Sequence, residues 1–77
     1  MNIEEKVIAC AAEAYNVDVS TISLNTVIRQ ELSSQSLVLI AFISSIEDAL
    51  GVSIDLRDAG KLLTIGDFVE KTKELMK

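Results

Sequence analysis

A 77-residue chain with one cysteine and no histidine has neither an internal disulfide nor an ordinary zinc site to hold it together, so it must fold by packing apolar side chains. A chain of this size buries only about 60% of the surface that its unfolded form exposes, which leaves stability marginal and demands a well-patterned core. Three glycines and no proline encode few sharp corners. That favours helices joined by plain loops over a many-turned β fold. With 49% hydrophobic and 25% charged residues, the composition is that of a folded globular protein. The expectation is one domain over residues 1–77.

The absence of histidine also narrows the chemistry, because it removes the commonest general base and the commonest metal ligand. Ser-His and Cys-His catalysis and typical zinc sites are excluded, and no metal is expected. Twelve acidic and seven basic residues give a net charge of −5. Such a surface repels phosphate backbones, which argues against nucleic-acid binding. It would steer the protein toward basic patches on partner proteins, although acidity also serves plain solubility. The lone Cys10 fits a reducing cytosol. Met1 to Lys6 shows no signal-peptide pattern, and the apolar run Leu37 to Ile43 is far short of the ~20 residues that a bilayer span needs. A cytoplasmic protein without membrane insertion is expected.

Along the chain, Asn2 and Glu5 resemble a capping box opening a first helix. Ile3, Val7, Cys10 and Ala14 recur at helical spacing on its inner face, and the helix should end near Tyr15 and Asn16. Cys10 then reads as a small core residue. From Val17 to Leu32 the pattern weakens into a long loop, pinned to the core by Ile22 and Leu24. A second helix spans Ser36 to Leu50, with Gly51 as its stop. Leu39, Ile43, Ile46 and Leu50 form one stripe on it, widened by Leu37, Ile40 and Phe42. Val52 to Ile54 reads as an extended link, after which Asp55 caps a short third helix that runs to Leu62, with Gly60 in its interior. Thr64 and Asp67 form a cap pair opening a last helix with Ile65, Phe68, Thr72 and Leu75 inward. The fold class is all-α: a small bundle of three principal helices plus one short helix, with a long loop after the first.

Ser33, Ser34 and Ser36 cluster where that loop meets the second helix. Taken locally, they are ordinary helix caps, since serine satisfies orphan N–H groups there. Ser36 has a further property: its hydroxyl should be exposed at the positive end of the helix dipole, a place that favours an attached phosphodiester. No base stands nearby in sequence to make it an enzymatic nucleophile. Modification by another enzyme that brings its own base and metal remains open to it.

Leu32-Ser33-Ser34-Gln35-Ser36-Leu37 resembles the signature of the acyl carrier protein family, in which Asp-Ser-Leu opens the second helix and the serine receives 4′-phosphopantetheine. The similarity continues through Ile46-Glu47-Asp48-Ala49-Leu50-Gly51-Val52-Ser53-Ile54, then Asp58-Ala59-Gly60-Lys61-Leu62 and Thr64-Ile65-Gly66-Asp67-Phe68-Val69. It covers essentially the whole chain. The resemblance implies a non-catalytic carrier: Ser36 takes the arm from coenzyme A through a phosphopantetheinyl transferase, and acyl groups ride on the arm as thioesters. Acyl-loading enzymes, synthases and acyltransferases are the implied partners. Some family members shelter the acyl chain within the bundle, partly by moving the third helix.

Two departures from the family pattern bear on partners. Gln35 stands where Asp usually precedes the modified serine, and Val38, Leu39 and Ala41 replace acidic or polar residues of fatty-acid-synthesis carriers. Glu47 and Asp48 keep the acidic face. With Leu37, Ile40, Ile43 and Ile46 filling the inner face, some of Val38, Leu39 and Ala41 should lie exposed beside the arm. The expected partner surface is therefore Gln35, Leu37, Val38, Leu39, Ala41, Glu47 and Asp48, on a monomeric, discrete carrier serving fatty-acid or specialised, polyketide-like biosynthesis. A peptidyl or aminoacyl carrier, and an unmodified carrier-like interaction module, are the alternatives.

Overall fold

In the computed structural model, which describes residues 2–76, α1 covers Ile3–Tyr15. The Asn2 side chain accepts from the Glu5 N–H at 2.8 Å, so Asn2 makes its half of the expected box. Asn16 closes the helix in the left-handed conformation, φ 56°, which asparagine tolerates better than most residues. Val7 and Cys10 are buried as expected, joined by Ala11 and Ala12, while Ile3 and Ala14 are half-buried.

The long loop is more ordered than its composition suggests. Asp18 caps a 3₁₀ turn at Val19–Thr21, and a π-type turn follows at Ile28–Leu32. Ile22 is buried, but Leu24 is exposed, which corrects the expectation that its side chain pins the loop. Thr26 and Ile28 are the buried anchors beside Ile22. The Leu24 segment is held by its backbone instead: Gly66 donates to the Leu24 carbonyl at 2.8 Å and Ile65 to the Thr26 carbonyl at 3.1 Å. Ile28 donates in turn to the Leu63 carbonyl at 3.0 Å, around an isolated antiparallel bridge between Val27 and Thr64. Sequence periodicity cannot register such main-chain ties.

α2 covers Ser36–Leu50 and ends on Gly51 at φ 67°. Its inward stripe is Leu39, Phe42, Ile43, Ile46 and Leu50, of which the middle three are buried. Leu37 and Ile40 were expected on that face, yet they are 81% and 44% exposed. At about 100° per residue they share a face with Ala41, Ser44 and Asp48, roughly opposite Phe42 and Ile46. Glu47 is half-buried, and its carboxylate accepts from the Ile54 N–H at 2.9 Å, tethering the link after α2.

α3 is only Leu56–Ala59, capped by Asp55, and Gly60 terminates it rather than lying inside a helix that reaches Leu62. α4 covers Ile65–Leu75 behind a complete Thr64–Asp67 capping box. Ile65, Phe68, Val69 and Thr72 are buried, whereas Leu75, expected inward, is exposed. α1 packs against both α2 and α4. At the centre Phe42 lies 4.9 Å from Phe68 between ring centroids, and Tyr15 meets Phe42 edge-on at 5.8 Å. The fold is the all-α bundle of three longer helices and one short one.

Candidate functional site

α2 starts without the side-chain cap that its serines suggest. Gln35, not a serine, is the N-cap residue, extended at φ −75° and ψ 126°, and its side chain makes no hydrogen bond to the helix. Ser33 accepts from the Gln35 N–H at 3.1 Å, one step outside the helix. Ser36 is therefore the first helical residue, with an exposed side chain. The first-turn N–H groups of α2 keep their partial positive charge, and the turn contains no acidic residue to offset it.

Ser36 also borders a cavity of about 20 Å³ between the end of α1, the π-type turn and the start of α2. Arg29 brings a cation to its border, while Ile28, Leu39 and Leu62 supply apolar walls. Tyr15 reaches it from the last residue of α1. The Tyr15 hydroxyl is buried and, among the described residues, has no hydrogen-bond partner. Burial pushes its pKa up, so it remains a protonated donor.

The residues expected at the partner surface do not form one uniform face. Gln35, Leu37, Ala41 and Asp48 are exposed, whereas Val38, Leu39 and Glu47 are half-buried. Leu39 packs against the core, and Glu47 is engaged by Ile54. Arg29, Tyr15 and the outward face of Ile40 carry no clear functional signal in the sequence. The signals available for them were slight: a lone cation in a polar loop, the only tyrosine, and an apolar residue 300° around the helix from Leu37.

Chemically, this corner suits an anion held through Ser36. The hydroxyl is accessible, the helix start supplies unneutralised N–H dipoles, Arg29 adds a positive charge, and no carboxylate in the first turn opposes it. Among the described residues, no cluster of His, Cys, Asp and Glu could hold a metal ion. Among the same residues, no helix is long and apolar enough to cross a membrane.

Comparison with known proteins points the same way. The family model described as "Phosphopantetheine attachment site" matches residues 5–71. The acyl carrier protein of Desulforapulum autotrophicum is 34% identical over 71 residues, covering 91% of this chain and 92% of that protein. That of Rickettsia canadensis is 33% identical over 72 residues, covering 94% and 84%, and that of Lactobacillus acidophilus is 36% identical over 62 residues, covering 80% and 78%. With a buried helical core, an accessible serine opening α2 and a match along nearly its whole length, the chain belongs to the acyl carrier protein family, whose cofactor is covalently attached 4′-phosphopantetheine.

Proposed function

We propose that Ser36 is the attachment residue, that residues 1–77 act as a single, discrete carrier domain, and that this carrier holds acyl intermediates for partner enzymes without catalysing a reaction itself. One observation carries the reading: the exposed Ser36 hydroxyl is the first residue of a helix whose opening turn is uncharged and uncapped by any side chain of its N-cap residue. The arm supplies a terminal thiol on which acyl groups are carried as thioesters. Ser36 contributes the ester oxygen, while the α2 N–H groups and Arg29 favour the phosphodiester's charge. The acceptor serine lacks a histidine, so the phosphopantetheinyl transferase must bring the base and metal that transfer from coenzyme A requires.

Partner enzymes, among them synthases, acyl-loading enzymes and acyltransferases, would dock beside the arm on Gln35, Leu37, Ala41 and Asp48, extended by Ile40. Val38, Leu39 and Glu47 support that surface from partly buried positions. The chain works as a monomer in the cytoplasm on this reading. The uncharged stretch of α2 from Ser36 to Ile46 favours a specialised, polyketide-like pathway over housekeeping fatty-acid synthesis.

Intact mass after incubation with coenzyme A, Mg²⁺ and a broad-specificity phosphopantetheinyl transferase tests the reading. A gain of one phosphopantetheine unit is expected. Ser36→Ala should abolish the gain with the helical circular-dichroism signal preserved, at a stability cost below the ~1 kcal/mol typical of a lost cap, because Gln35 occupies the cap position. A persistent gain in that variant, or an arm mapped to Ser33 or Ser34, refutes the site. No gain in the wild type leaves an unmodified interaction module, for which the exposed Leu37 and Ile40 are suited.

A further inference from the structure

The Tyr15 hydroxyl stands out among the polar groups of this protein. Its atom is buried and unpartnered, its ring is fixed edge-on against Phe42 at 5.8 Å, and it lines the same cavity as Ser36. A buried hydroxyl without a partner is unfavourable, and native proteins rarely keep one without a use. The ring position does not depend on the hydroxyl, since Phe42 and the core hold the aromatic face. A phenylalanine would fill the same space without the orphan. Ile28, Leu39 and Leu62 carry no side-chain donor; Ser34, Gln35 and Ser36 also line the cavity but are exposed to solvent, and the half-buried Ser33 oxygen already accepts from the Gln35 N–H. Arg29 is exposed, so its guanidinium has solvent available, unlike the hydroxyl.

We propose that Tyr15 is a specificity-determining residue that reads the cargo: its hydroxyl donates a hydrogen bond to an oxygen on the acyl group, so that the cavity favours 3-oxo or 3-hydroxy acyl groups over plain alkyl ones. The inference rests on attachment at Ser36 and deepens that reading by naming the cargo class. An alkyl chain entering here leaves the donor buried and unpaired, whereas an oxygenated chain satisfies it. Sites built around a buried polar group discriminate in this way against ligands that lack the matching atom. At about 20 Å³ the cavity holds one water-sized group, so a longer cargo widens it by displacing the segment that carries Leu62.

The test uses holo-protein loaded with 3-oxohexanoyl or hexanoyl groups, with loading verified by intact mass. Cleavage of each thioester by hydroxylamine is measured against the same acyl pantetheine free in solution, which removes intrinsic reactivity. Wild type should protect the oxygenated cargo about tenfold more than the alkyl cargo, the scale of one net hydrogen bond. Tyr15→Phe should bring that ratio close to one. In wild type alone, the Tyr15 Cζ resonance should move on loading with the oxygenated group and stay in place with the alkyl group, a readout that needs no variant. Failure of loading sinks the attachment reading and this proposal with it. Loaded protein with equal protection of both cargoes, or a ratio that survives Tyr15→Phe, overturns the proposal alone. So does a Tyr15→Phe effect confined to the stability of unloaded protein, which would mark the hydroxyl as a partner for buried water only.

Discussion

The Gly66 N–H donates to the Leu24 carbonyl at 2.8 Å, and a Cβ at position 66 would stand 2.9 Å from that same oxygen. The first turn of α4 thus approaches the long loop so closely that only glycine fits without displacement. The contact cannot yield as a flexible side-chain tip would, because the opposing atom is main-chain. Gly66→Ala gains helix propensity of roughly 1 kcal/mol yet must shift the loop, and overpacking of this kind costs about 1–3 kcal/mol. Net destabilisation is therefore expected in urea or thermal unfolding. Unchanged or raised stability would show that the loop gives way freely. Gly60 provides the contrast, since its nearest contact would be an ordinary 3.5 Å.

That contact marks a limit of what sequence discloses. Helix ends were legible because their determinants are local: Asn2, Thr64 with Asp67, and Gly51 each act within four residues of the group they satisfy. The loop was legible as a loop but not in its attachment. Leu24 looks like an anchor by composition, yet the anchoring is done by its carbonyl, and every residue has one. The faces of α2 are not legible, because an apolar residue at every position from Leu37 to Ile43 leaves no contrast for periodicity to detect; only packing against α1 separates Phe42 and Ile43 from Leu37 and Ile40. Within the site, Ser36 was legible through its motif. Tyr15 was not, because its meeting with Ser36 depends on how the end of α1 meets the start of α2.

Asp67 should contribute a measurable acid-side slope to stability. Its carboxylate accepts from the N–H groups of Leu63 at 2.9 Å and Thr64 at 3.1 Å, and these bonds lower its pKa below the ordinary Asp range. A depressed folded-state pKa stabilises the fold above the unfolded pKa of ~4, and the contribution disappears as pH falls through the folded value. Asp18 is lowered in the same direction by its bond from Ser20, so wild type carries both contributions. Asp67→Asn should flatten the loss of stability between about pH 5 and pH 2 relative to wild type. Parallel curves for the two proteins over that range would remove Asp67 from the account.

α3 should open before any other helix. It has four residues, of which only Ala59 is buried, and Leu56 and Arg57 lie exposed. Its link to α4 through Asp58 and Lys71, 3.6 Å apart, is a partly exposed ion pair of a kind that contributes little, at most ~1 kcal/mol. Hydrogen exchange should therefore be faster from Arg57 to Lys61 than from Leu39 to Ile46, whose segment contains three core residues. Equal protection in the two segments would contradict this.

The face of α2 beside Ser36 sets the expectation for docking. Leu37, Ile40, Ala41, Ser44 and Asp48 lie on one side of the helix, and only the last is charged. Glu47, the other acid of that helix, is engaged by the Ile54 N–H and is half-buried, so it is a poor free contact for a basic partner. Docking should therefore depend on apolar contact, with few charge pairs for salt to screen. The KM of a phosphopantetheinyl transferase for the unmodified chain offers a direct measure, because the enzyme must approach Ser36 over this face. From roughly 0.01 M to 1 M salt the screening length shrinks from about 30 Å to about 3 Å, and KM should change by less than ~3-fold. Ile40→Asp should raise KM on the order of tenfold, as expected for a central apolar contact. It should at the same time improve use by enzymes that recognise acidic carriers. The substitution suits the test because Ile40 lies outside the core, where changes typically move stability by no more than about 0.5 kcal/mol. Val38→Asp is a weaker probe, since a half-buried position mixes folding with docking. If Ile40→Asp leaves KM unchanged while KM climbs steeply with salt, the apolar reading fails and Asp48 becomes the dominant contact.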